Sequence, residues 1–478
     1  MKKISHFNHM PGPENILRKQ LNNGSTVLVH EHPGTRTAVV NASMPCGSYL
    51  DPLGKTGLAE FVASCLTYGT RSHDFSSLSE LLEGSGASIG VHCGPRAFTF
   101  NGACLAEDLP MLLGILKEIS DEPIFPETQT EIHRQRMLSA YEMHLHDPES
   151  MADERFDELL FGKNHPYGRT DYSTVEEIMS ITRQDLLDFQ QRYLGPRGTI
   201  VTVSGGLPAE QIMEECEKQL GSWTKSQEML SPSDYFPAVP FPENPLSEHI
   251  EIPEKSEMSL LMGTLGPCRN APDYLDAVLG NSILGEFGMM GRIGRKVREE
   301  NGLAYYAGSS LTPLTYGGCW TVEAGVNPAN VESASGLITE ELRRFTSEKV
   351  SDEELDDVKS FFLGSLPLSL ESNSGAAALL MNMETHDLGL DYLQQIPARV
   401  GAVTAESILE TARKWLDPEK LIRVTAGTMG NQKSEIRNRG IFKISQAGVW
   451  GLQSLRKTMA RASYFPGNKI SESRAITE

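Results

Sequence analysis

The chain has 478 residues, 39% hydrophobic and 22% charged, and a formal net charge of −20. A polypeptide of this length exceeds one ordinary core and is expected to divide into units of about 100–250 residues; with no apolar run near the roughly 20 residues of a membrane helix, it is not expected to span a bilayer. The excess of 63 acidic over 43 basic residues repels phosphate backbones, so nucleic acid is not an expected partner.

The opening "MKKISHFNHMPGPENILRKQ" has two lysines but no apolar stretch behind them, and does not read as a secretory signal. Seven cysteines (46, 65, 93, 104, 216, 268, 319) are odd in number, scattered and never in a C-x-x-C pair. That pattern argues against a disulfide framework and against a thiolate zinc site, and points to a reducing cytoplasm.

In chain order, strand-like runs at 25–32 and 37–44 precede a helix at 56–68 and another at 76–84. Strands at 86–93 and 97–105 follow, then a block of helices from 107 to 193 and a strand at 199–204. The second half repeats the order, with strands at 248–252 and 257–264, helices at 273–284 and 291–300, and strands at 303–311 and 317–325. A helical block from 328 to 416 and a strand at 421–426 complete it. Strands leading, helices grouped and one strand returning is an α+β pattern, a mainly antiparallel sheet with helices packed on one face, made twice.

The duplication is also written in the residues. "TRQDLLDFQQRYLGPRGTIVTVSGG" (182–206) aligns on "TAESILETARKWLDPEKLIRVTAGT" (404–428) without a gap, Thr182 on Thr404, Leu194 on Leu416, Pro196 on Pro418 and Gly205 on Gly427. Each copy is a threonine-capped helix stopped before a proline and followed by a β-rich run. The two units are read as 15–224 and 248–435. Between them, 225–247 carries five prolines and reads as a stiff linker that lets the halves face one another. From 436 to 478 the tail holds eight Lys or Arg against two Glu, and Val449, Leu452, Leu455 and Met459 share a helical face. A short basic amphipathic helix is expected there, suited to the acidic body of this chain, an acidic partner subunit or a membrane surface.

Four stretches carry a resemblance: "GSYLDPLGKTGLAEFVASCLTYGTRS" (47–72), "LAEDLPMLLGILKEISDEPIFPE" (105–127), "HDPESMADERFDELLFGKNHPYGRTDYSTVEEI" (146–178) and "GRIGRKVREENGLAYYAGSS" (291–310). In that order they resemble the pitrilysin/insulinase family of zinc metallopeptidases, in the branch that includes the mitochondrial processing peptidase. The family's chemistry needs His-x-x-Glu-His on a helix: histidines at i and i+4 share a face and hold zinc, and the glutamate takes a proton from the metal-bound water. Aligned on the flanking "GKTGLA" and "GT", this chain has Glu60 at the first histidine, Ala63 at the base and Ser64 at the second histidine. The family's third ligand, a glutamate on a later helix, falls on Ala140, with Glu142 about 200° around the helix from it. His144 and His146 lie two apart, on opposite sides of a helix. No zinc is therefore expected on this chain. The helix at 56–68 reads as scaffold, with Leu58, Phe61, Val62, Cys65 and Leu66 forming an apolar stripe and Glu60 solvated or hydrogen-bonded.

In "VREENGLAYY" (297–306), Arg298 and Tyr305 match the arginine and tyrosine that look like the family's second active-site element. In two-subunit relatives one chain supplies the zinc helix and the other this pair, so the resemblance implies half of an enzyme. A zinc-bound water attacking a peptide carbonyl builds negative charge on oxygen, which a phenol and a guanidinium stabilise. The competing reading pairs Arg298 with neighbouring acids on the helix surface and leaves Tyr305 filling a strand position. "GASIGVHCG" (86–94) falls where the family's substrate-binding edge strand lies, so Ala87, Ser88, Ile89, Gly90, Val91 and His92 are candidates for backbone pairing with extended peptide; a plain core strand is the alternative. "LGEFGMMGRIGRK" (284–296) reads as a lid or entry loop, or as a simple turn.

The expectation is thus a substrate-binding subunit without its own zinc. It would form half of a clam-shell chamber with a zinc-bearing homologue, which holds the metal, and act on unstructured peptide. A structural or peptide-binding subunit without proteolytic role, like the silent core subunits of respiratory complexes in this family, is the alternative.

Overall fold

A computed structural model describes residues 10–429, apart from 171, 229, 288 and 289, together with 441–443. In the first half the chain forms β1 (Ile16–Gln20), β2 (Thr26–Glu31), β3 (Thr37–Met44), α1 (Leu58–Cys65), α2 (Phe75–Gly84), β4 (Ser88–Cys93) and β5 (Phe98–Leu105). Next come α3 (Leu109–Asp121), α4 (Glu127–His144), α5 (Pro148–Phe161), α6 (Val175–Ser180), α7 (Arg183–Tyr193), β6 (Ile200–Gly205) and α8 (Ala209–Leu220). The second half begins with β7 (Leu246–Glu251), β8 (Met258–Leu265), α9 (Tyr274–Asn281), the single turn α10 (Arg292–Gly294), β9 (Ala304–Leu314) and β10 (Gly317–Val326). It continues with α11 (Val331–Ser347), α12 (Asp352–Leu370), α13 (Asn373–Thr385), α14 (Tyr392–Ala402), α15 (Ala405–Trp415), β11 (Ile422–Gly427) and β12 (Ile441–Lys443).

The threonines that open the repeated segment do the same work twice. Thr182 and Thr404 each accept the backbone N–H three residues on, and Asp185 and Ser407 reach back to the cap, a reciprocal box that fixes where α7 and α15 begin. The strand after each helix enters the middle of its sheet. One sheet has the order β1-β2-β6-β3-β5-β4, the other β12-β7-β11-β8-β10-β9. β6 runs parallel to β2 and antiparallel to β3; β11 runs parallel to β7 and antiparallel to β8. The architecture is α+β, with two mixed, mainly antiparallel sheets. Strand β1 escapes a sequence reading because only its first residue is buried; α8, whose Ile212, Met213, Cys216 and Leu220 face the core, was also not anticipated. The tail contributes β12, paired parallel to β7. The amphipathic helix expected around 449–459 lies outside the described residues.

Both faces of each sheet are covered, and the two halves exchange a helix to do it. On β2, Val27 and Val29 join one core while Leu28, pointing the other way, joins the second. The first sheet's own helices α1, α3 and α8 pack against β4, β5 and β2, whereas α13, from the second half, lies across β3 and β6. Conversely α5, from the first half, lies across β8 and β11, its Phe156 in one core with Leu261, Ile422 and Val424. Each exchanged helix is clamped by a two-pronged Arg–Glu pair: Arg155 of α5 with Glu248 of β7 (2.7 and 3.0 Å), and Arg18 of β1 with Glu384 of α13 (2.9 and 2.7 Å). Asn373 at the start of α13 donates to the Thr37 carbonyl (2.9 Å) and hydroxyl (3.0 Å), and Thr202 donates to the Ala377 carbonyl (2.9 Å).

The proline-rich connection is anchored to both halves. Phe236 is buried against Tyr49 and Tyr167 of the first half and Tyr316 of the second, with ring centres 5.6, 4.8 and 5.2 Å away. β7 begins at Leu246, within the stretch read as linker.

Candidate functional site

Helix α1 opens at Gly57, whose φ of 81° places it in the left-handed region, and the Asp51 carboxylate accepts the Gly57 and Ala59 N–H groups at 2.8 Å each. The loop before it is tied down by Thr56, which donates to Glu177 at 2.8 Å, and by an ion pair of Lys55 with Asp185. Leu58, Phe61, Val62, Cys65 and Leu66 are all buried, as the apolar stripe predicts, and the last turn tightens to a 3₁₀ form at Leu66–Tyr68. Ser64 Oγ donates to Glu60 Oε1 at 2.8 Å, so Glu60 is hydrogen-bonded within its own helix. Ala63 is buried.

Helix α4 packs on α1. Its His133 ring lies 5.0 Å from Phe61 and 6.2 Å from Tyr68, the Arg134 guanidinium stands 5.2 Å from the Phe61 ring, and Arg136 donates to the Tyr68 hydroxyl at 3.3 Å. Burial, then the charges of Arg136 and Arg134, hold His133 down to about 4. Ala140 sits further along α4, half-buried and without a donor atom. His144 points elsewhere, bonding Glu154 at 2.5 Å and stacking on Tyr172.

The donor set does not fit zinc. Of the four family positions, Ala63 and Ala140 offer no ligand atom, Ser64 offers a hydroxyl already donated, and Glu60 is the recipient. Tetrahedral protein zinc sites use imidazole, thiolate and carboxylate in threes or fours. Among the described residues no group of three or more His, Cys, Asp or Glu side chains stands close enough together to hold a metal ion.

The second element is built differently. Beyond α10 the helix widens to a π turn over Arg295–Glu299, and Gly302, with φ 61°, reverses the chain into β9. Arg298 is exposed, and Tyr305, the second residue of β9, is 62% exposed. Among the described residues neither side chain makes a hydrogen bond or ion pair, to each other or to a neighbour, so the surface ion pair considered for Arg298 does not form. Tyr306, facing the other side of the strand, is raised by burial and then by the carboxylates of Glu149, Glu257, Glu323 and Asp153. That acidic surround draws on α5 and the second sheet together, and no local sequence pattern marks it.

β9 is an edge strand of its sheet, with β12 at the other edge, and β4 an edge strand of the other, with β1 opposite. β4 pairs with β5 alone, from Ser88 opposite Ala103 to Cys93 opposite Phe98; Ala87 is buried just before it, and Ser88 and His92 are exposed while Ile89, Gly90 and Val91 are partly covered. The 87–92 segment therefore has a free backbone edge among the described residues, which a core strand would lack. The glycine-rich stretch is packed where it is described: a Cβ on Gly285 would come within 2.6 Å of the Ser309 N of β9, and one on Gly291 within 2.6 Å of Gly285. Arg292 anchors its far end, buried and bonded twice to Glu354 (2.8 and 2.7 Å). These contacts suit a fixed turn better than a lid.

No helix among the described residues is long and apolar enough to cross a membrane, and all seven cysteines are free.

Comparison with known proteins agrees with this geometry. A profile of the insulinase family, peptidase family M16, matches residues 26–166, and one described as the peptidase M16 inactive domain matches residues 180–362. The chain is 22% identical to an uncharacterised zinc protease of Rickettsia bellii, over 84% of this chain and 95% of that protein, and 24% identical to the mitochondrial-processing peptidase subunit beta of Saccharomyces cerevisiae, over 85% and 90%. Among solved structures, a peptidase M16 inactive domain from Pseudomonas fluorescens superposes with a TM-score of 0.81 at 24% identity, covering 88% of this chain and 99% of that one. A protease from Helicobacter pylori superposes at 0.80 and 19% identity, covering 87% and 100%. Two related six-stranded sheets, the matched sequence profiles and this fold make the chain a member of the M16 peptidase family.

Proposed function

We propose that this chain is the non-catalytic, substrate-binding subunit of a heterodimeric zinc metalloendopeptidase. The zinc resides in a homologous partner of similar size, and this chain contributes half of the peptide chamber. Arg298 and Tyr305 enter the shared site, where the guanidinium and phenol stabilise the oxyanion formed as water attacks the peptide carbonyl. Unstructured peptide adds as a strand along β4, pairing with the backbone of 87–92. The complex works in a reducing cytoplasm, which suits seven free thiols. Nucleic acid has no part in it, and membrane contact is confined to the basic tail.

The observation that carries this reading is a contrast within one chain. The positions of the zinc helix hold Glu60, Ala63 and Ser64, engaged with one another or buried, while Arg298 and Tyr305 project without partners among the described residues. Exposed side chains without a partner among the described residues are available to a substrate held by the zinc-bearing subunit.

The test is co-expression with a zinc-bearing homologue from the same genome and assay of the purified complex on a quenched fluorescent peptide. Tyr305→Phe is expected to lower kcat about 10²–10³-fold, the usual effect of losing one oxyanion donor, with the complex still assembled. Equal rates for both forms would leave the structural-subunit reading in its place.

A further inference from the structure

The second half contains a cavity of about 530 Å³ between the loop that follows β8, the start of α9 and helices α14 and α15. It shares no lining residue with the edge strands or with the Arg298–Tyr305 turn. Two guanidiniums converge on it. Arg269 stands 4.4 Å from the Tyr274 ring and 5.3 Å from the Tyr392 ring, and donates to the Tyr392 hydroxyl at 3.1 Å; Arg399 stands 5.4 Å from the same Tyr392 ring.

Neither arginine forms an ion pair among the described residues. The single carboxylate in the lining, Asp276, is engaged by the Ser407 hydroxyl instead. Ring contacts hold the guanidiniums in place, since a cation over an aromatic face is attracted by its quadrupole, but they leave both guanidiniums without a directly paired carboxylate among the described residues. Nearby His386 senses this field: burial, then Arg269 and Arg96, hold it down to about 4. Two like charges brought to one aromatic ring in a concave site leave a place for a counter-ion, and a planar guanidinium fork matches the oxygens of a carboxylate or a phosphate.

We propose that this cavity is a binding site for a small molecule bearing carboxylate or phosphate groups, held between Arg269 and Arg399 with Tyr274 and Tyr392 as its walls. The volume falls in the range of small-molecule pockets, about 300–1,000 Å³. The site is independent of the peptidase reading, because it stands apart from the residues assigned there.

Isothermal titration calorimetry on the full chain, in a buffer free of both ions, with inorganic phosphate in one arm and citrate in the other, tests it. Saturable binding of at least one ion is expected, and the responding arm identifies the favoured group. Arg399 is exposed and, among the described residues, held by a ring contact alone, so Arg399→Gln is expected to keep the fold, with an unchanged Tm as the check. It should weaken binding about tenfold or more, the loss of one charge-assisted contact, and Arg399→Lys should fall between. No saturable heat from either ion, or equal affinity in Arg399→Gln and the parent chain, would overturn the proposal.

Discussion

Ser64 Oγ donates to Glu60 Oε1 at 2.8 Å, one turn apart on α1, at the two positions that the sequence resemblance aligns with the family's zinc-binding histidines. A hydroxyl and a carboxylate at i and i+4 hydrogen-bond along the helix, and with Ala63 buried between them in sequence the helix is a packing element.

The first prediction follows from that pair. Purified without a partner, the chain is expected to carry substoichiometric zinc by elemental analysis, and 1,10-phenanthroline should leave its Tm in place. A structural zinc contributes on the order of 10 kcal/mol, so a chelator-induced fall of more than about 4 °C would reveal a metal that α1 and α4 do not explain.

The exchanged helix α13 gives the second. Asn373→Ala removes a buried amide that donates to the Thr37 carbonyl and hydroxyl, and leaves that carbonyl with the Gly206 N–H as its donor. The expected cost is about 1–3 kcal/mol, read as a lower midpoint in urea unfolding with an unchanged slope. An unchanged midpoint would mean that α13 does not depend on this contact.

Arg292 supplies the third. Its two bonds to Glu354 hold that carboxyl at about 2 against an ordinary 4.5, while buried Glu341 lies 3.7 Å from the same guanidinium and is raised by burial. Because the folded value of Glu354 is depressed, its contribution is fully present above pH 4.5 and is lost as the pH falls toward 2. Arg292→Met leaves Glu354 with its Ser351 bonds alone and Glu341 with Arg344 at 3.7 Å, and is expected to cost about 3–5 kcal/mol at neutral pH. Chemical denaturation at several pH values should show the gap to the parent chain closing on acidification; a gap constant with pH would contradict the pairing.

His133 titrates in a higher window. It is neutral in the fold, held at about 4 against an ordinary 6.5, so its contribution is present above pH 6.5 and is lost as the pH falls from there to 4. His133→Gln removes that titration. Between pH 7 and 4.5 the parent chain is expected to lose on the order of 2 kcal/mol more stability than the variant. Parallel loss in both would place the acid sensitivity elsewhere.

Much of this protein is legible from residue order. The aligned segments at 182–206 and 404–428 announce two related units, because cap, helix stop and strand are local events written within a few residues. Missing donors at Ala63 and Ala140 are equally plain, since no fold supplies a ligand atom that a side chain lacks. Strand β1 and helix α8 were not read, one because it is nearly all exposed and the other because it precedes the linker without a marked cap.

Tertiary structure alone decided the rest. That α5 and α13 cross to the opposite sheet, that β4 and β9 lie at edges and that Arg269 and Arg399 meet at Tyr392 all depend on contacts between distant segments. Periodicity tells which side of a helix or strand is apolar, but the apolar side is satisfied by any complementary surface. Which surface it meets is fixed by the packing of the whole chain.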